Sequence, residues 1–152
     1  MHSRCALTAT SALLWVGFAI NPVAAATPSI RADAAWVRWL PAGLPAGGYV
    51  TLTNTGARAV VLIAASSPDY AEVSVHRSAE RAGNMEMRPV AKITIDPHSS
   101  LNFAATGYHL MFMQPNRSLK PGDEVPVTLH FADGSALTVA FAVRGADTRE
   151  AD

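Results

Sequence analysis

Cysteine is nearly absent from this 152-residue sequence: there is one, Cys5. A chain with a single thiol cannot close an internal disulfide. Beyond residue 5 it also offers no thiolate for a metal and no cysteine nucleophile. Charge is sparse and balanced, with 12 Lys and Arg against 12 Asp and Glu. No basic field or polybasic stretch is present, which argues against nucleic acid and against a charged membrane surface as partners. Apart from one amino-terminal run, no long apolar stretch occurs, and no segment keeps a helical period between two caps. No Ser-His-Asp or paired-carboxylate pattern stands out, so the chain is expected not to be an enzyme.

The apolar run that does occur reads as an address. Residues 1–4 carry one positive charge, residues 6–20 include Leu13, Leu14, Trp15, Val16 and Phe18, and Asn21-Pro22 ends the run before Val23-Ala24-Ala25-Ala26. That order is a secretory signal peptide, with cleavage expected after Ala26. A retained spanning helix would need roughly 20 apolar residues, more than the run supplies. Cys5 precedes the run, whereas the lipid-bearing cysteine of a lipoprotein follows one. The expected layout is a signal peptide at 1–26, one domain at 27–144 and a flexible tail at 145–152. Export to the periplasm, with no stable membrane insertion after cleavage, is implied.

What remains alternates at strand period. Tyr49-Val50-Thr51-Leu52-Thr53 stops at the turn signal Asn54-Thr55-Gly56, and residues 59–65 form a continuous apolar run suited to a strand buried on both faces. Val73 and Val75 alternate with Ser74 and His76. Val125, Val127, Leu129 and Phe131 alternate with polar residues up to Asp133-Gly134, after which Leu137, Val139, Phe141 and Val143 resume the period. The Asp-Gly step marks that pair as a hairpin. Many short strands punctuated by Gly and Pro predict an all-β, antiparallel sandwich or barrel.

Methionine carries the chemical information. Apart from the initiator there are four, in two Met-x-Met pairs, Met85/Met87 and Met111/Met113, each following a histidine. Gap-filling methionines would be scattered through the core. In a strand, His109, Met111 and Met113 share one face while Leu110 and Phe112 take the other. Gly83-Asn84 is a turn signal between residues 73–76 and 85–90, which would put His76 and Met87 on neighbouring arms of a hairpin. Imidazole nitrogen with thioether sulfur is a soft, neutral donor set that favours Cu(I) over hard cations, and zinc rarely takes methionine. Packing is the competing account of these residues, and Met85 and Met113 are assigned to it or to an outer shell. His98 reads as a loop residue and His130 as the polar face of a strand.

The spacing of His76, ten residues, Met87, twenty-one residues and His109-x-Met111 resembles the signature of the periplasmic copper chaperones called PCu(A)C. Ala35-Trp36-Val37-Arg38, the segment from Gly48 to Asn54, Met87-Arg88-Pro89-Val90 and Leu119-Lys120-Pro121-Gly122-Asp123 extend the likeness over about residues 31–144. The resemblance implies a cupredoxin-like, Greek-key β-sandwich with His76, Met87, His109 and Met111 as Cu(I) ligands. It also implies delivery toward the CuA domain of cytochrome c oxidase, alongside a Sco-type thiol protein. Residues 145–152 contain no His or Met, so the His- and Met-rich carboxy-terminal extension of some relatives is not expected here. Copper storage or tolerance, and a metal-free secreted binding module, are the alternative functions. A blue-copper electron carrier is excluded by the missing cysteine ligand.

Overall fold

The computed structural model of the chain describes residues 29–41 and 43–148. The expected signal peptide and the last four residues of the expected tail lie outside them. The described chain is all β: β1 (Ile30–Arg38), β2 (Ala46–Asn54), β3 (Val60–Ser66), β4 (Tyr70–Arg81), β5 (Asn84–Pro89), β6 (Ile93–Ile95), β7 (Ser100–Phe103), β8 (Tyr108–Pro115), β9 (Glu124–Phe131) and β10 (Ala136–Arg144). Hydrogen bonding links them in the order β5-β4-β8-β2-β1-β10-β9-β3-β6, with β7 also on β2. All pairs are antiparallel except β1 with β10, where the last strand returns alongside the first.

That path folds over on itself as a sandwich. Phe112 of β8 and Phe141 of β10 are separated by β2 and β1 in the strand order, yet their rings meet at 6.1 Å across the interior. Phe103, Phe131, Leu52, Leu62, Leu110 and Leu129 complete a fully buried centre. Each such side chain contributes about 1.5–3 kcal/mol of apolar burial. Gly48 is required by this packing, because a Cβ there would collide with the Phe112 ring. At one end Asn54 is wholly buried with its amide satisfied: Nδ2 donates to the carbonyls of Arg58 and Ile95, and Oδ1 accepts from Ser29 and Gly56.

Two local expectations change. The apolar run at 59–65 is buried on one face only: Leu62 and Ala65 are buried while Ile63 is exposed. Its register against β9 shifts between Leu62 and Ala64, so strict alternation is broken there. The β4–β5 turn falls on Ala82-Gly83, not Gly83-Asn84. Arg81 pairs with Asn84, and both intervening residues have positive φ, 52° and 81°, as a two-residue hairpin turn of the I′ type demands. The apolar row of β4 ends at Val75. Beyond it Arg77, Ala79 and Arg81 are exposed, so the β4–β5 hairpin runs out past the core.

Candidate metal centre

The outer face of β5, β4 and β8 gathers the sequence-predicted site residues. Val73 and Val75 point inward opposite Phe112 and Leu110, which turns Ser74 and His76 to the other face with Met111 and His109. His76 lies directly opposite His109, and Ser74 opposite Met111. On the other flank of β4, Ser78 lies opposite Met87. His76 is therefore the hub: His109 is its direct cross-strand neighbour, and Met111 and Met87 are its diagonal neighbours, within reach of long side chains.

The two imidazoles are 6.1 Å apart between centroids and inclined at 33°. That separation leaves room for an ion about 2 Å from one nitrogen of each ring, the usual first-row metal–imidazole distance. His109 is 4% exposed, and its Nδ1–H donates to the Gly107 carbonyl at 3.3 Å. A carbonyl can only accept, so this contact leaves Nε2 with the free lone pair. Burial holds the His109 imidazole below its ordinary pKa; the Gly107 carbonyl opposes the shift and the neighbouring His76 adds to it. The shift favours the neutral ring, the form in which an imidazole binds metals. His76 Nε2 meets the Ser74 hydroxyl at 3.0 Å, while its Nδ1 is buried and has no hydrogen-bond partner among the described residues. An unmade buried bond costs about 1–3 kcal/mol, and a cation bound there would remove that cost.

No three His, Cys, Asp or Glu side chains among the described residues group to hold a metal. The donors that share this face are two imidazoles and the thioethers of methionine, a soft and neutral set. Met111 is partly buried, whereas Met87 is 51% exposed on the edge strand.

The face is closed on one side and open on the other. Gly47 of β2 is the ladder partner of Met111. Tyr49 shares that face and leans back over Gly47, so that a Cβ there would stand 2.7 Å from the Tyr49 hydroxyl. Trp36 stacks on Tyr49 at 4.6 Å. The guanidinium of Arg38 lies 5.6 and 5.5 Å from these two rings, and that of Arg144 lies 5.3 Å from Trp36. This wall, together with the supporting Ser74 and Gly107, escaped the sequence reading. Ser74, two residues before His76, could have been found from strand period; the Gly47–Met111 pairing needs the register. Met113 and Met85 also lie on this face, opposite Glu72 and Glu80. Met85 is 61% exposed, so it packs no core. His98 has a φ of 53° between β6 and β7, and His130 contacts the Ser66 hydroxyl at 2.8 Å, away from the face.

Fold and donor face together define a cupredoxin-like β-sandwich of the PCuAC type. The chain is similar to the solved "apo PmoF2 PCuAC domain", at 25% identity and a TM-score of 0.65, over 84% of this chain and 98% of that one. It is similar also to "CuI-DR1885 from Deinococcus Radiodurans", at 27% identity and a TM-score of 0.57, over 80% and 81% of the two chains. Residues 30–143 match the family model described as "Putative lipoprotein LpqE-like", and the chain belongs to that family. A relative from Leifsonia xyli subsp. xyli, "Putative lipoprotein Lxx21020", is 31% identical over 148 residues, covering 93% of this chain and 89% of its own.

Proposed function

We propose that this protein is a periplasmic Cu(I) metallochaperone that holds one ion between His76, Met87, His109 and Met111. The observation that carries the reading is the pairing of His76 with His109 on neighbouring strands, with a methionine diagonal to His76 on each flank. The likeness to PCuAC domains, one of them described as a Cu(I) form, supports it. The chain does not act as an enzyme: it binds its cargo and releases it. Delivery toward the CuA domain of cytochrome c oxidase, with a Sco-type thiol protein as co-worker, is the most specific form of the proposal. Residues 1–26 would supply export.

Thioether ligands suit such a role because they are neutral and exchange one at a time. Titration of Cu(I) against a chromophoric chelator is expected to show one tight site. Replacing His109 or Met111 by Ala should weaken it tenfold or more, about 1.4 kcal/mol; unchanged affinity in both variants rejects the ligand set. Mixing the copper-loaded chain with an apo CuA domain and with other copper acceptors separates delivery from storage. Transfer to neither favours storage or tolerance.

A further inference from the structure

The two flanks of the metal face differ. On its β2 side the Tyr49–Trp36 stack closes over Gly47 and Met111. On its β5 side the edge strand carries Met87 and Met85, half and more exposed to solvent. Met85 lies opposite Glu80, four residues along β4 from His76, which is about 14 Å at the rise of an antiparallel strand. It therefore cannot join an ion held between His76 and His109. It is two residues from Met87 on the same face, within reach of an ion that Met87 also holds.

A methionine that fills a core gap is buried; Met85 is among the most exposed large apolar side chains described. Leaving an apolar side chain in water forfeits the burial gain that would otherwise account for it. It stands on an edge strand beyond the end of the core, beside a proposed ligand and on the flank of the site away from the Tyr49–Trp36 wall. Resting on the Cu(I) reading above, we infer that Met85 is a transfer ligand: an exposed second thioether that takes up Cu(I) with Met87 as the ion leaves the two histidines. In this step a copper–sulfur bond forms at Met85 while the bonds to His76, His109 and Met111 break. Copper stays monovalent, and no proton or electron moves. An incoming donor from the acceptor then displaces Met85 and Met87 in turn. Met113, at the opposite end of the face beyond Met111, has no such part.

The test uses the full chain and three variants, Met85→Leu, Met87→Leu and Met113→Leu, loaded with Cu(I). Affinity is read against bathocuproine disulfonate, and the rate of transfer to that chelator by stopped flow. Met85→Leu is expected to keep its dissociation constant within about twofold and to release copper about tenfold more slowly. Met87→Leu should lose affinity, and Met113→Leu should match the wild type in both measurements. Wild-type release from Met85→Leu, equal slowing in Met113→Leu, or a loss of affinity in Met85→Leu as large as in Met87→Leu each overturns the inference while leaving the copper site standing. A wild-type chain with no Cu(I) affinity overturns the underlying reading instead. Because Met85 is exposed, its replacement leaves folding intact, which circular dichroism verifies.

Discussion

His109 shows how burial and one backbone contact set the state of a single side chain. It is nearly excluded from solvent, fixed by a backbone carbonyl and positioned beside a second imidazole. Protonation would bury a charge with another histidine close by, so burial lowers its pKa from the ordinary 6.5. The sign for stability follows: the unfolded chain takes up the proton first. The His109 contribution is therefore present above the unfolded value and lost as pH falls through the lower folded value. The urea midpoint of the copper-free chain should fall between pH 7.5 and pH 5, and more steeply than that of His109→Gln. Parallel profiles for the two proteins would show that this histidine does not titrate as its burial requires.

At the scale of elements, β8 does most to build the face, and its position depends on β2. Phe112 passes over Gly48, where no side chain fits, and the same strand carries His109 and Met111 outward. Gly48→Ala should force β8 and β2 apart and cost about 1–3 kcal/mol, as overpacking of a filled core does. Denaturant midpoints measure this, and an unchanged midpoint would mean that the ring moves aside freely. Strands of this kind were readable from sequence because one face is buried and the other is not: β8, β9 and β10 show it in their alternation. Where a second influence acts, alternation misleads. Ile63 looks like core within an apolar run, but the register shift in β3 turns it outward. Asn84 looks like a turn residue, but Ala82 takes the left-handed position despite its Cβ. The spacing of the two His and two Met residues was visible in one dimension, and strand period gave their common face. Which strands are neighbours, that Tyr49 walls the site and that Met85 packs nothing depend on register between distant segments, which no local pattern encodes.

At the scale of the whole molecule, the proposed site straddles three strands drawn from two distant parts of the chain, so an ion bound there would tie them together. β4 and β5 form a hairpin that leaves the core, and β8 lies inside the sheet between β4 and β2. An ion held by His76, Met87, His109 and Met111 binds the folded arrangement and not the unfolded chain, in which the donors are dispersed. Folding stability must then rise by mass action. With free Cu(I) at 100 times the dissociation constant the gain is about 2.7 kcal/mol. For a domain of this size it corresponds to a rise in Tm of roughly 10 °C. Differential scanning calorimetry under reducing, oxygen-free conditions, with and without Cu(I), gives the number directly. The rise should shrink in His109→Ala and persist in Met85→Leu if the first removes a resting ligand and the second only a transfer ligand, as proposed. An equal rise in wild type and His109→Ala would mean that copper stabilises the chain from somewhere other than this face.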